Sequence, residues 1–127
     1  MHTRTVFIID DSEIILEVAR DALECENYRV ETMSNWAELD KMLENSQPDL
    51  ILMDVKMPEA YGDTALMFFR EKRDMLDTPI LLFSDIPAEE LELRAIQCAA
   101  DGYISKSWGV DRLVEEVDKR LANTDLD

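Results

Sequence analysis

Long apolar runs, basic residues and cysteines are all scarce in this sequence of 127 residues, and each scarcity excludes a class of protein. No apolar run approaches the roughly 20 residues of a membrane-spanning helix, so no membrane association is expected. Residues 1–5 lead straight into a short strand-like run, and no secretory signal peptide is expected. Thirteen Lys and Arg stand against 29 Asp and Glu, for a formal net charge of −16. Because such a field repels a phosphate backbone, the sequence argues against direct nucleic-acid binding.

The two cysteines, Cys25 and Cys98, lie far apart, and each falls within a helical apolar pattern. We expect both to be reduced, buried, small hydrophobic side chains in a cytoplasmic protein. The alternative is a disulfide between them.

What the sequence does contain is typical of one globular domain. Hydrophobic residues make up 46% and charged residues 33%, without repeats, low-complexity segments or long linkers. We expect a single domain over 1–127, with a core of about 5–122 and a short tail at 123–127. Whether this domain stands alone or forms part of a longer protein stays open.

Short apolar runs alternate with longer amphipathic ones along the chain. Unbroken apolar runs are typical of strands covered on both faces, and apolar residues spaced three or four apart are typical of helices. Five strands are predicted, at 5–9, 29–33, 50–53, 79–83 and 103–105. Helices are predicted at about 15–23, 36–43, 64–73, 87–98 and 110–121, the second capped by Asn35. This alternation predicts an α/β fold, a doubly wound parallel sheet of order 2-1-3-4-5 with helices on both faces.

Polar residues follow four of the predicted strands. Asp10 and Asp11 follow strand one, Asp54 follows strand three, Ser84 follows strand four and Lys106 follows strand five. Each alone is typical of a turn, cap or surface residue. The functional clefts of such sheets, however, lie beyond the carboxyl ends of the strands. Three carboxylates, a hydroxyl and an ammonium are therefore expected to meet there.

The chemistry of this set follows from its charges. Clustered carboxylates raise one another's pKa unless a cation neutralises them, and hard oxygen ligands suit Mg²⁺. A metal beside a carboxylate and a lysine suits phosphoryl transfer, because both cations offset charge on the phosphoryl oxygens while a carboxylate oxygen attacks. The product would be an aspartyl phosphate.

A resemblance to a known family rests on four segments, which are IIDDS, LILMDVKMP (with Gly62 shortly after it), FS and ADGYISK. Through these segments the chain resembles the receiver domain of two-component response regulators, the CheY-like family. The resemblance spans residues 6–121 and implies a flavodoxin-like (βα)5 fold with a five-stranded parallel sheet. It implies a signalling domain, not an enzyme with a separate substrate, that takes a phosphoryl group from a histidine kinase or phosphotransfer protein. Mg²⁺ is the implied cofactor, and Mn²⁺ is expected to substitute for it.

The same resemblance implies roles for the residues at the strand ends. Asp54 would be the phosphoacceptor. Asp11 and Asp54 would bind the metal directly together with the backbone carbonyl of Lys56, and Asp10 would act through metal-bound water. Lys106 would pair with the phosphoryl group.

Ser84 resembles the hydroxyl residue that shifts towards the phosphoryl group. Tyr103 resembles the aromatic switch on the face formed by the fourth helix, the fifth strand and the fifth helix; the alternative is an ordinary half-buried strand tyrosine. A downstream effector, an output domain or a second copy of the chain would bind that face. Trp36 and Trp108 are candidate aromatic contacts, with partial cover of the core as the alternative.

Four positions depart from the family pattern or tune it. Asp85 stands where a small residue is usual, and it would hinder an incoming donor, point to solvent or begin the fourth helix. Ser107 replaces a proline that follows a cis bond; a non-proline cis bond costs roughly 2.5–4 kcal/mol, so a trans peptide and a displaced lysine ammonium are expected. Ala99 replaces a glycine, which costs on the order of 1 kcal/mol if the backbone there is left-handed. Lys56 cannot accept a proton from an attacking water, so slow dephosphorylation is expected.

Three alternatives differ in function. A haloacid-dehalogenase-like phosphatase would need an aspartate two residues after Asp54, where Lys56 stands. A flavodoxin would need a Ser/Thr/Gly-rich phosphate loop after strand one, where DDSEII would repel the phosphate of FMN. A receiver fold retained for protein–protein contact without phosphorylation is supported by Asp85 and Ser107, and the intact acidic set with Lys106 opposes it.

Overall fold

The computed structural model describes residues 3–75 and 77–122, in which strands and helices alternate as the sequence predicts. The tail predicted at 123–127 lies outside the described residues. The strands are β1 (Thr5–Ile9), β2 (Arg29–Met33), β3 (Leu50–Asp54), β4 (Ile80–Ser84) and β5 (Gly102–Ser105). The helices are α1 (Glu13–Glu24), α2 (Trp36–Asn45), α3 (Gly62–Lys72), α4 (Ala88–Gln97) and α5 (Val110–Ala122), with a 3-10 turn (Lys106–Trp108) before α5. Within these ranges no helix is long and apolar enough to cross a membrane.

The strands form one parallel sheet in the predicted order β2-β1-β3-β4-β5. Every residue of β3 and β4 is buried, which explains their unbroken hydrophobicity. Side chains of β1 alternate between two cores. Phe7 and Ile9 pack with α2, α3 and α4, whereas Val6 and Ile8 pack with α1 and α5. Helices therefore cover both faces, and the carboxyl edge of the sheet is left for polar groups.

The sheet register brings distant aspartates together. Strand order changes direction between β1 and β3, and Ile9 pairs with Met53 across that boundary. The residues that come next in each strand direction are Asp10 and Asp54. This is the topological switch point, where open α/β sheets form their functional clefts.

Side-chain caps begin the two helices that follow β1 and β2. Ser12 Oγ accepts a hydrogen bond from the Ile15 N–H at 3.3 Å and so begins α1 directly after the aspartates. Asn35 caps α2 as predicted, its Oδ1 accepting from the Glu38 N–H at 2.9 Å. The Glu38 carboxylate accepts from the Ser34 N–H at 2.7 Å, one residue before the position of a regular capping box.

Two expectations about individual residues are settled by the fold. The expectation that both cysteines are buried is wrong for Cys25: it is exposed, Cys98 is buried, and both are free thiols. Cys25 comes after the last helical residue of α1, so its side chain leaves the packed stripe that ends at Leu23. Ala99 has φ of 60°, so this chain adopts the left-handed conformation with alanine in place of glycine.

The two tryptophans provide partial cover for the two cores. Trp36 packs against one and Trp108 against the other. The Trp36 indole N–H donates to the Ala60 carbonyl at 3.1 Å. Trp108 ends the 3-10 turn, and Gly109, at φ of 87°, separates that turn from α5.

Candidate functional site

The carboxyl ends of β1, β3, β4 and β5 surround a cleft of about 530 Å³. It includes seven of the predicted site or modulator residues, all at strand ends or in the segments that follow them, together with Ser12 and Ile15. The lining residues are Asp10, Asp11, Ser12, Ile15, Asp54, Lys56, Asp85, Lys106 and Ser107. We call this space the acidic cleft.

Three carboxylates converge in the acidic cleft. One oxygen each from Asp10, Asp11 and Asp54 lies within 4.8 Å of the other two. Asp10 is fully buried and Asp54 is 2% exposed, whereas Asp11 is exposed to solvent. Asp10 is held at both ends: its N–H donates to the Met33 carbonyl at 3.1 Å, and its Oδ1 accepts from the Ser12 N–H at 2.9 Å.

Burial and crowding change the ionisation of Asp54. Burial is the larger cause and the nearby charge of Asp10 the second, and together they raise the pKa of Asp54 to about 7. The ammonium of Lys106 and a hydrogen bond from the Lys56 N–H, at 3.4 Å from Asp54 Oδ1, act in the opposite direction. The net effect favours a proton or a cation at this carboxylate.

Lys106 brings an ammonium group into contact with the two buried carboxylates. Its Nζ lies 2.7 Å from Asp10 Oδ2 and 3.4 Å from Asp54 Oδ1. It also lies 5.5 Å from the centre of the Phe83 ring. Burial alone would lower the pKa of Lys106, but the ion pairs with Asp10 and Asp54 more than offset it and raise the pKa.

The expected trans peptide between Lys106 and Ser107 is found, since residues 3–75 and 77–122 contain no cis peptide bond. The trans peptide leaves the ammonium inside the acidic cleft, in contact with both buried carboxylates. Ser105, which is buried, holds the turn: its Oγ accepts from the Ser107 N–H at 3.2 Å and lies 2.7 Å from Ser107 Oγ. The role of Ser105 was missed from sequence, although Ser at a 3-10 N-cap is a recognisable signal.

Ser84 lies at the end of β4 but not among the lining residues of the acidic cleft. It follows Phe83, the register partner of Asp54, and its side chain is fully buried. Its Oγ accepts from the Ile86 N–H at 3.4 Å. The structure therefore places the hydroxyl one residue past the phosphoacceptor candidate, in the adjacent strand.

Asp85 and Lys56 form an ion pair at the rim of the acidic cleft. Lys56 Nζ lies 3.0 Å from Asp85 Oδ1, and the two side chains are 57% and 62% exposed. The hydrogen bond with Lys56 lowers the pKa of Asp85. Of the three orientations expected for Asp85, the start of the fourth helix is wrong, because α4 begins at Ala88. The pairing was missed, although opposite charges in loops after neighbouring strands could have indicated it.

Gly62 places Asp54 through backbone contact. A Cβ built on Gly62 would lie 2.0 Å from the Asp54 carbonyl oxygen. The Gly62 N–H donates to the Val55 carbonyl at 2.8 Å, so α3 begins in direct contact with the end of β3. Only a residue without a side chain fits this approach.

Tyr103 lies on β5 with its side chain partly exposed. Its hydroxyl donates to Glu92 Oε2 on α4 at 2.7 Å, and its ring centre is 5.8 Å from that of Trp108. The side chain therefore reaches across the surface between β5 and α4.

The donor set of the acidic cleft fits a small divalent cation such as Mg²⁺. Its three carboxylates are hard oxygen ligands, two of them buried and drawn together at a strand switch point. A cation would relieve the repulsion that raises the pKa of Asp54.

Comparison with known proteins agrees with the fold. Residues 6–118 match the family described as "Response regulator receiver domain". The polar-differentiation response regulator DivK of Brucella ovis is 30% identical over 122 residues, which cover 95% of this chain and 98% of that protein.

Solved structures show the same architecture. A CheY-like response regulator receiver domain protein from Methanospirillum hungatei superposes with a TM-score of 0.85 at 25% identity, over 98% of each chain. The signal receiver domain of a histidine kinase from Syntrophus aciditrophicus superposes with a TM-score of 0.86 at 26% identity, over 98% of this chain and 95% of that one. Since the family match spans most of the chain, this protein belongs to the response regulator receiver domain family of two-component signalling.

Proposed function

We propose that the protein is a phosphoacceptor. In this proposal Asp54 takes a phosphoryl group from a histidine kinase or phosphotransfer protein in a Mg²⁺-dependent reaction. The observation that supports it most is the joint placement of Asp10, Asp11 and Asp54 within 4.8 Å, with the Lys106 ammonium on two of them. Crowding three carboxylates around a largely buried lysine is energetically costly, and binding to a protein partner alone does not require this arrangement.

The residues of the acidic cleft would divide the reaction between them. An ionised oxygen of Asp54 forms a bond to phosphorus while the bond from phosphorus to the donor's leaving atom breaks. That leaving atom, an imidazole nitrogen in a histidine donor, keeps the electron pair. Lys106 offsets negative charge on the phosphoryl oxygens.

Mg²⁺ would be held by Asp11, Asp54 and the backbone carbonyl of Lys56, with Asp10 acting through bound water, and Mn²⁺ would substitute. When bound, the cation supplies charge neutralisation for the phosphoryl oxygens. The carboxylate chemistry of the described residues supports this assignment.

The signal would pass to a protein partner over the face formed by α4, β5 and α5. Ser84 and Tyr103 would be the two residues that change position on phosphorylation. In this structure the Tyr103 hydroxyl donates a hydrogen bond to Glu92 on α4. Leu93 and Ile96 on α4 are 54% and 69% exposed, which suits a contact surface. A second copy of the chain is a further candidate for this face, and sedimentation with and without phosphorylation would detect it.

The chemistry of the protein would be limited to its own phosphorylation and dephosphorylation. Lys56, two residues after Asp54, cannot accept a proton from attacking water, so the aspartyl phosphate is expected to hydrolyse slowly. A cytoplasmic location belongs to the same proposal.

Incubation with Mg²⁺ and acetyl phosphate, followed by intact mass measurement, tests the proposal. A phosphate adduct on the wild type and none on Asp54→Asn is expected. Absence of an adduct, together with no Mg²⁺-dependent response to beryllofluoride, would instead favour a binding module that works without phosphorylation.

A further inference from the structure

An ion pair joins two loops at the rim of the acidic cleft. Lys56 lies in the loop after β3 and Asp85 in the loop after β4, and their charged atoms are 3.0 Å apart. Both side chains line the same cleft as Asp54. β3 and β4 are neighbouring strands, so the pair connects the two loops directly beside the phosphoacceptor candidate.

The charges of the acidic cleft are unequally available to an incoming molecule. The lining residues carry four carboxylates and two ammonium groups. Lys106 is 14% exposed and already contacts Asp10 and Asp54. Lys56, whose side chain is 57% exposed, is therefore the accessible cation among the lining residues. Its ammonium is already paired with the Asp85 carboxylate.

A small phosphoryl donor is an anion and is drawn to unpaired cations near its target. We propose that Asp85 is a specificity-determining residue of the phosphorylation reaction: by holding the Lys56 ammonium, it disfavours small anionic phosphodonors at Asp54. This inference rests on the proposed function. A protein donor is less affected, because contacts over a wider surface supply its affinity.

The magnitude follows from the exposure of the pair. Exposed ion pairs are weak and are screened by salt, with a Debye length of roughly 8 Å at physiological ionic strength and about 3 Å at 1 M. Substitution of Asp85 by Asn frees the Lys56 ammonium and removes one negative charge from the acidic cleft. Both effects raise the rate at which an anionic donor reacts. An acceleration of about three- to tenfold is therefore expected at low salt, falling below about twofold at 1 M salt.

The test measures the second-order rate of phosphorylation by acetyl phosphate in Mg²⁺, by intact mass of quenched samples. The full chain is compared with Asp85→Asn, Lys56→Gln and the double variant. Glu59→Gln is the matched control, because Glu59 is an exposed acid in the same loop as Lys56 and does not line the cleft. Circular dichroism and thermal unfolding establish that each variant is folded.

Asp85→Asn is expected to react faster than wild type, Lys56→Gln more slowly, and Glu59→Gln at the wild-type rate. The acceleration by Asp85→Asn should shrink in the Lys56→Gln background, because there is no ammonium left to release. An unchanged or slower Asp85→Asn, or an equal acceleration without Lys56, would overturn the inference. If no variant is phosphorylated at all, the proposed function itself fails, which is a separate result.

Discussion

The ammonium of Lys106 lies closer to Asp10 than to Asp54, at 2.7 Å from one and 3.4 Å from the other. Asp10 is fully buried, and a buried charge without a partner is strongly unfavourable. Lys106 therefore compensates the most buried carboxylate of the acidic cleft. Asp54 lies farther from this ammonium, and burial, followed by the nearby charge of Asp10, raises its pKa to about 7.

Asp10→Asn should weaken the binding of Mg²⁺. It removes one of three clustered carboxylates and leaves Lys106 free to pair more closely with Asp54, which competes with the cation. A loss of about 10- to 100-fold in affinity is expected, as for residues that support metal ligands. Isothermal titration with Mg²⁺ measures it. Asp21→Asn, an exposed acid on α1 away from the cleft, is the control, and equal affinities for both variants would contradict the prediction.

Without a divalent cation, the stability advantage of Asp54→Asn should grow as the pH rises. The ordinary pKa of Asp54 is 3.8 and its folded value is about 7, so between these values the native state binds more protons than the unfolded state. The contribution of the Asp54 carboxyl group to stability is therefore fully present below about pH 4 and is lost as the pH rises through 7. The loss is on the order of 2–4 kcal/mol. Urea unfolding in EDTA at about pH 5 and pH 8 measures it; a difference between the variants that is independent of pH would refute this assignment.

Ser105→Ala should slow phosphorylation of Asp54, because it loosens the turn that positions Lys106. The buried Ser105 hydroxyl bonds both the N–H and the hydroxyl of Ser107, and so holds the 3-10 turn that begins with Lys106. Loss of such a cap costs about 0.5–2 kcal/mol, so a decrease in rate of several-fold with acetyl phosphate is expected. Ser105→Thr keeps the hydroxyl and should restore most of the rate. Equal rates for the Ala and Thr variants would show that the hydroxyl does not position the lysine.

Gly62→Ala should destabilise the protein and disturb Asp54. Its Cβ would lie 2.0 Å from the Asp54 carbonyl oxygen, so the start of α3 or the end of β3 has to move. Overpacking of this kind costs typically about 1–3 kcal/mol, measured by urea unfolding. Thr64→Ala, an exposed position in the first turns of α3, is the control. Wild-type stability of Gly62→Ala would mean that the backbone contact relaxes at no cost.

Much of the fold could be predicted because periodicity is local. The second strand was predicted at 29–33 and is found at Arg29–Met33, and the Asn35 cap of α2 is confirmed. The strand order followed from general rules on parallel sheets. The exposure of Cys25 was mispredicted because an apolar pattern does not say where a helix leaves the core. The 3-10 turn was missed because three residues carry too little periodicity to indicate it.

The sequence by itself determined the fold class and the chemical types at the strand ends, because strand and helix patterns and the order of residues along the chain are sufficient for both. Only the tertiary structure decided which charge contacts which. The ammonium of Lys106 lies closer to Asp10 than to Asp54, and the Asp85 carboxylate forms an ion pair with Lys56. These pairs join loops from different strands, and their distances depend on sheet register and on burial, neither of which is encoded in any single segment.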